Sequence, residues 1–313
     1  MKLGVVLDPL AQINYKKDST LAMMASAQKL GWQIFTLQLG DLYILDGTVK
    51  GKFTQLAIRE GRPDWYEVLD QIDIPLTDMT AVLMRKEPPF DIEFIYATYL
   101  LEMAEQQGLA VLNRPGSIRD CNEKLFALQF PQCCPPHLVS RDLETLKQFH
   151  QTNADVIFKP LDGMGGSSIF RVKSDDPNLS VILETLTDHG QRQIMAQRFI
   201  PEIAQGDTRI LLINGEPVPF GLARIPAKGE TRGNLAAGGS GVARPLTDSD
   251  YRICEAVGPA LKERGLYFVG IDVIGEYLTE INVTCPTCIR EIDAAFNLDI
   301  ATDYMNFVET LVN

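Results

Sequence analysis

Long apolar runs are missing from this 313-residue chain, and none approaches the ~20 residues that a membrane-spanning helix needs. In MKLGVVLDPLAQINYKK the short apolar stretch is broken by Asp8 and Pro9, with no extended hydrophobic region or small-residue cleavage site. No secretory signal is expected, and the expected compartment is the cytoplasm. Positive charge is also scarce. Lys and Arg number 29 against 41 Asp and Glu, a net charge of −12, and a surface that acidic repels phosphate backbones and anionic lipids. Nucleic acid and membranes are therefore not expected as partners, and an anionic substrate must be gripped by a local cluster of Arg and Lys. Histidine is rarer still, with His137, His150 and His189 scattered. Six cysteines in a chain this long do not make a disulfide scaffold. Cys285-Pro286-Thr287-Cys288 has no second CxxC or His pair to complete a zinc site. It follows an E-x-N strand rather than a βαβ strand, so two unpaired thiols near a cleft are expected instead of a redox pair.

The remaining composition, 45% hydrophobic and 22% charged, is that of a soluble globular protein. The length suits about two domains of ~150 residues, or three smaller ones enclosing a cleft. Residues 1–120 alternate strand-like and helical patterns as a parallel α/β layer does: KLGVVL, a helix capped by Asp18 or Ser19 and stopped by Gly31, WQIFTLQL, AVLMRK, a helix from 91 to 107, then LAVLN. The turn at 113–116 leads into a helix carrying Asn122, Glu123 and Lys124. Residues 121–200 read as two-layer α+β, with DVIFKP and SIFRV around a Gly-rich turn. Residues 201–313 offer strands RILLINGEPV and PFGLARIP, a long Gly/Ala segment, a helix from 248 to 264 and a terminal hairpin.

Four segments carry chemistry. In FKPLDGMGGSS, Gly163, Gly165 and Gly166 let backbone N–H groups turn toward one anion, and Lys159 adds a point charge. The Gly-Lys-Ser/Thr order of a P-loop is absent, and a flexible hairpin tip is the competing reading. In FVGIDVIGEYLTEIN, a turn at 275–277 places Asp272 opposite Glu280 with Asn282 on the same face. Opposed carboxylates are unstable unless neutralised, and hard oxygen ligands in this number suit Mg²⁺ held together with phosphates. MAQRFIP, followed by Gly206-Asp207-Thr208-Arg209, is an extended segment ending in proline, whose free edge backbone can read an adenine while a nearby acid meets ribose; a plain interdomain strand would look the same. The segment 223–241 has Arg232 and Asn234 among hinge-permissive glycines, and a loop this long is expected to be a lid, mobile over 226–241 until ligands bind.

With these segments in this order, the chain resembles the ATP-grasp superfamily over about residues 115–313. KEPPFDIEFIYATYLLE, RDCNEKL, FKPLDGMGGSSIFRV, ARIPAKGETRGNLAAGG and TEINVTCPTCIREI extend the resemblance to the prokaryotic glutathione synthetases along nearly the whole chain. The resemblance implies an ATP-grasp fold preceded by a Rossmann-like domain, divided 1–120 (substrate-binding), 121–200 (central lid subdomain) and 201–313 (catalytic subdomain). It implies ligation of γ-glutamylcysteine and glycine, at the expense of ATP, through an acyl phosphate. Lys124 and Lys159 would hold nucleotide phosphates, Gly163, Gly165, Gly166 and Ser167 would form the small loop over them, and Gln197, Arg198, Phe199 and Ile200 would supply the adenine hinge. Asp207 would meet ribose. Asp272, Glu280 and Asn282 would ligate two Mg²⁺ ions, with Mn²⁺ as a substitute. Arg209 and Arg224 would neutralise the reacting carboxylate and acyl phosphate, and Arg232 would belong to the closing loop. Arg85, Thr287 and Arg290 would contact the dipeptide substrate. A homotetramer is the implied assembly.

Two departures stand out. The family usually has Asp-Lys-Arg where this chain has Asp207-Thr208-Arg209, and commonly serine in place of Cys285. The alternatives to weigh are another carboxylate-amine ligase of this superfamily, such as one making a D-alanyl dipeptide or adding glutamate to a protein, and a nucleotide-binding regulator without turnover.

Overall fold

Burial unbroken after the first residue in KLGVV and QIFTL marks the first strands of a seven-stranded sheet, as in a parallel layer covered on both faces. The structure, a computed structural model, describes residues 1–163, 165–230, 232–233 and 238–313. Its first sheet comprises β1 (Lys2–Val6), β2 (Gln33–Leu37), β3 (Leu42–Leu45), β4 (Thr48–Ile58), β5 (Tyr66–Pro75), β6 (Ala81–Met84) and β7 (Ala110–Leu112), with α1 (Ser19–Lys29) and α2 (Ile92–Gln106) between them. The order is β3-β4-β2-β1-β6-β7, with β5 also on β4. Strands β2, β1, β6 and β7 are parallel, as expected. Asp18 caps α1 through the Leu21 N–H and Asp91 caps α2 through the Phe94 N–H. The antiparallel β3–β5 extension goes beyond the pattern read from the sequence. Its outer strand is largely exposed and carries Glu67, Asp70 and Asp73, so it gives no hydrophobic alternation to read.

After β7 the expected single helix is two short ones, α3 (Pro115–Asp120) and α4 (Glu123–Ala127). The break has a local cause: the Asn122 side chain accepts from the N–H groups of Lys124 and Leu125 and so starts a new helix. The second sheet is antiparallel, ordered β10-β9-β11-β8, from β8 (His137–Ser140), β9 (Asp155–Pro160), β10 (Phe170–Lys173) and β11 (Ile194–Arg198). Helices α5 (Leu143–Asn153) and α6 (Leu179–Leu186) cover it through Leu146, Phe158, Leu183 and Ile194.

The third sheet is also antiparallel, ordered β14-β13-β12-β15-β16, from β12 (Asp207–Ile213), β13 (Glu216–Ile225), β14 (Ser240–Pro245), β15 (Phe268–Ile274) and β16 (Tyr277–Asn282). RILLINGEPV is not one strand. Asn214 (φ +49°) and Gly215 (φ +74°) turn it into a hairpin, the Asn-Gly signature of a two-residue turn. Strand β14 begins at Ser240, so the long loop closes earlier than the 226–241 span expected of it. Helix α7 (Asp248–Glu263) packs on one face of this sheet. On the other face lie α8 (Ile289–Phe296) and α9 (Ile300–Val312), which return to α1 and join Leu3 and Leu21 of the first layer to Leu211, Phe268 and Tyr304 in one core.

Candidate functional site

The β15–β16 hairpin brings its polar residues together as its alternation predicts. Asp272 pairs with Glu280 across the ladder, and Asn282 lies opposite Gly270. The turn itself differs from expectation: it is the two residues Gly275 and Glu276, and an irregularity between Asp272 and Val273 absorbs the odd residue, so the carboxylate pairing survives.

Cations of the same chain neutralise the opposed acids. Asp272 accepts from Arg209 Nε at 2.5 Å and Nη2 at 3.0 Å, and lies 2.9 Å from Arg224 Nη2. Glu280 lies 3.4 Å from Lys159 Nζ and 3.6 Å from Lys124 Nζ. Arg224 also pairs with Asp207. Burial opposes ionisation of Asp272, but Arg209 and Arg224 outweigh it and hold the carboxyl well below the usual range. Burial likewise opposes ionisation of Glu280, which Lys124 and Lys159 overcome. At Asp207 burial wins and pushes the carboxyl up to about 7 despite Arg224.

Strand parity decides which β12 side chains reach the cleft. Asp207 and Arg209 line it, whereas Thr208 is buried on the opposite face and accepts from Arg244 Nη2 at 3.0 Å. The departure from Asp-Lys-Arg therefore alters the far side of the sheet. Gly270 on the adjoining strand makes room for Arg209: a Cβ there would meet both Arg209 Cδ and Pro286 Cβ at 2.8 Å.

Above this wall, Lys124 Nζ donates to the Gly163 carbonyl at 2.8 Å, while Gly165 (φ +63°) and Gly166 (φ +82°) take left-handed conformations. Ser167 lines the same space, and Arg232 Nη1 donates to the Gly166 carbonyl at 3.1 Å, joining the two glycine-rich loops. Met164, Thr231 and the expected lid residues 234–237, Asn234 among them, lie outside the described residues.

Gln197, Arg198, Phe199 and Ile200 line the cleft, but β11 is not the free edge expected of it. It is an interior strand, paired with β9 and β8, because two flanking strands cover its apolar run from both sides. The N–H groups of Arg198 and Phe199 are also taken, by the carbonyls of Pro136 and Asp155. The Ile200 N–H takes no partner among the described residues.

Lys124, Lys159, Asp207, Arg209, Arg224, Arg232, Asp272, Glu280 and Asn282, with residues 197–200 and Thr287, border one cleft of about 320 Å³. Arg85 and Arg290 do not line it. Arg85 is buried behind the wall, where it donates to Thr20 Oγ1 at 3.1 Å and to the Pro286 carbonyl at 2.8 Å. Arg290 donates to the Asp18 carbonyl and pairs with Glu60, and its Nη2 is buried without a partner among the described residues. Arg85 directly follows β6 beside β1, where the strand order reverses, the usual crevice of an open α/β sheet, and Arg290 reaches the segment before α1 from α8. Cys285 borders the cleft as a protonated thiol, burial pushing it up to about 11. It can donate a hydrogen bond as the usual serine would.

Glu123 was not expected among the site residues, yet it lines the cleft and its carboxylate has no hydrogen bond or ion pair among the described residues. Burial, then the charge of Glu280, pushes it up to about 7. The available signal was its place beside Lys124 in the first turn of a helix capped by Asn122.

Among the described residues no three His, Cys, Asp or Glu side chains form a metal cage by themselves. The oxygens of Asp272, Glu280 and Asn282 instead form a partial set. Asn282 Nδ2 bonds to Gly270 and Asp272, leaving Oδ1 without a partner among the described residues. Such a set fits Mg²⁺, which usually takes one or two protein carboxylates and completes its shell with water and phosphate oxygens.

Residues 1–119 match the N-terminal domain, and residues 123–297 the ATP-grasp domain, of prokaryotic glutathione synthetase. The chain is 57% identical over 310 residues to the glutathione synthetase of Shewanella oneidensis, covering 99% of this chain and 98% of the relative. It is 59% identical over 308 residues to that of Pseudomonas aeruginosa, covering 98% and 97%. Among solved structures, D-cycloserine synthetase DcsG superposes with a TM-score of 0.70 at 12% identity over 100% of both chains. The ATP-grasp ligase PsnB, complexed with minimal precursor, Mg and ADP, gives 0.63 at 16% identity over 99% and 98%. At these identities the two structures speak for the fold alone.

Proposed function

The chain belongs to the prokaryotic glutathione synthetase family, and from that premise we propose how its own residues divide the work of the reaction. It is an ATP-dependent ligase that joins γ-glutamylcysteine to glycine, giving glutathione, ADP and phosphate. The observation that carries the assignment of roles is the single wall on which Lys124, Lys159, Arg209, Arg224, Asp272 and Glu280 neutralise one another.

In this reading Lys124 and Lys159 hold the nucleotide phosphates, and the turned amides at 163–167 cover them. The Ile200 N–H reads adenine, flanked by Gln197, Arg198 and Phe199, and Asp207 meets ribose. Asp272, Glu280 and Asn282 would hold Mg²⁺, two ions in this reading, for which Mn²⁺ could substitute; bound there, the metal would supply positive charge against the phosphates and the group being transferred. Arg209 and Arg224 are anchored through Asp272, so their spare N–H groups are already oriented toward the cysteinyl carboxylate. That carboxylate attacks the γ-phosphorus in line, ADP leaves, and the acyl phosphate forms among fixed cations. The glycine nitrogen then attacks the acyl carbon, and the same arginines stabilise the oxyanion. Arg232 closes the two glycine-rich loops against water, which would otherwise hydrolyse the intermediate. Arg85, Thr287 and Arg290 hold the dipeptide at the crevice of the first sheet. We divide the chain into 1–120, 121–200 and 201–313 for these tasks, and place it in the cytoplasm as a homotetramer.

The test is a matrix of donors and acceptors, read as ADP release and product mass. γ-Glutamylcysteine with glycine should outperform every other pair. Preference for D-alanine with D-alanine, or for glutamate on a peptide terminus, would overturn the substrate assignment, and nucleotide binding without turnover would indicate a regulator.

A further inference from the structure

The second sheet meets the rest of the molecule around the glycine-rich loop that joins β9 to β10, and cations make most of the side-chain contacts across that boundary. Lys124 reaches the Gly163 carbonyl, Lys159 of β9 reaches Glu280, Arg198 Nη2 donates to Tyr277 Oη at 3.1 Å, and Arg232 reaches the Gly166 carbonyl. All four cations line the cleft, where an anionic ligand competes for them. Asn122 makes a further crossing contact, its Nδ2 donating to the Leu161 carbonyl at 3.1 Å. It is uncharged and does not line the cleft, so no ligand phosphate draws it away.

One amide thus does two tasks. Its Oδ1 accepts from the N–H groups of Lys124 at 3.1 Å and Leu125 at 3.0 Å, which caps α4 and leaves Nδ2 facing the loop. Helix α4 in turn stands against the third sheet, where Lys124 Nζ lies 3.6 Å from Glu280. The contacts therefore run from the Glu280 hairpin through α4 to the base of the loop. Packing does not hold the loop there. A cavity of about 60 Å³ lies behind its base, bordered by Phe90, Ile118, Asn122, Leu161 and Asp162. A buried water needs roughly 10–15 Å³, so the base has room to shift where a filled core would stop it. Beyond its base the loop is tightly folded. A Cβ on Gly163 would meet Pro160 Cγ at 2.8 Å and the Ser167 carbonyl at 3.3 Å, so its two limbs touch and a shift at Leu161 is carried to 165–167.

We infer that Asn122 is the positioning residue of the glycine-rich loop, keeping 165–167 in register with Lys124 and Lys159 while nucleotide phosphates engage those lysines. It touches no substrate and acts through the Leu161 carbonyl. The inference rests on the roles proposed above for the loop and the two lysines, and adds the residue that fixes their spacing.

Three variants of the full-length enzyme separate the donor from the cap. Asp and Ser both cap a helix, but Asp has no N–H for the Leu161 carbonyl and the Ser hydroxyl sits a bond farther from it; Ala has neither group. Asn122→Asp and Asn122→Ser should lower kcat/KM for ATP about three- to tenfold, as loss of one neutral hydrogen bond does. KM for γ-glutamylcysteine and for glycine should stay within about twofold, and the midpoint of denaturant unfolding should match wild type. Asn122→Ala should show the same ATP defect together with a lower midpoint, because it alone loses the cap. Asn122→Ser decides the matter if Asn122→Asp, with its new charge beside Glu123, does not fold. ATP constants within about twofold of wild type in the Ser and Asp variants would mean that the loop is held without Asn122, and the inference fails. It fails equally if only Asn122→Ala loses ATP efficiency, in step with its stability, since Asn122 is then a helix cap and nothing more. Wild-type enzyme that forms no glutathione would instead overturn the reaction reading, and the role of Asn122 with it.

Discussion

Glu280 joins three parts of the site: it opposes Asp272 across the hairpin, pairs with Lys124 and Lys159, and raises Glu123. Glu280→Gln keeps the shape but removes one charge of the partial metal set. Turnover should fall about 100-fold or more while nucleotide still binds weakly, and near wild-type activity at saturating Mg²⁺ would remove Glu280 from the site. Glu123 gives a pH signature. Its folded value of about 7 exceeds the ordinary 4.5, burial being the main cause, so the native state holds that proton more tightly than the unfolded chain does. The stability from this group is therefore lost as pH rises from about 4.5 to about 7. In metal-free, nucleotide-free protein, Glu123→Gln should raise Tm relative to wild type more at pH 8 than at pH 5. An equal shift at both would mean that the carboxyl titrates normally.

At the level of elements, the site is built where two glycine-rich loops meet. The loop after β9 turns its backbone through Gly165 and Gly166, and the loop after β13 sends Arg232 to the Gly166 carbonyl. Glu230 pairs with Arg232 and orients it. This contact is exposed enough to contribute little to global stability, so its value lies in closure. Arg232→Ala should leave Tm unchanged while more ADP than glutathione forms, because the acyl phosphate then meets water. A ratio of one to one with reduced overall rate would assign Arg232 to positioning instead of sealing. The β15–β16 irregularity acts at the same scale: a short turn would shift the register by one, and the bulge restores Asp272 to its partner.

Across the whole molecule, the first and third sheets are joined by a shared core and by the buried side chain of Asn113. Asn113 donates to the carbonyls of Phe268 and Val283 at 2.9 and 2.8 Å, and accepts from the N–H groups of Tyr267 and Phe268 at 2.6 and 2.9 Å. It is buried, so Asn113→Ala strands backbone groups that have no access to water. The cost should be about 3 kcal/mol or more, read as a lower midpoint in denaturant unfolding. A midpoint close to wild type would mean that water replaces the side chain. The same junction positions Arg85 against Pro286, which ties the crevice of the first sheet to the wall of the cleft.

Local sequence was sufficient for whatever depends on near neighbours. Asp18 and Asp91 announced their helices, alternation in FVGIDVI and YLTEIN put Asp272, Glu280 and Asn282 on one face, and the glycines at 165 and 166 marked a loop that only such residues form easily. Resemblance extended this to the reaction. The partners of those residues were not legible, because the contacts are distant in the chain: 63 positions separate Arg209 from Asp272, 121 separate Lys159 from Glu280, and 201 separate Arg85 from Pro286. Packing also decided that β11 is interior, that Arg85 lies behind the cleft wall, and that Glu123 faces the cleft with no partner among the described residues, since burial and neutralisation are properties of the assembled sheets and not of any single strand.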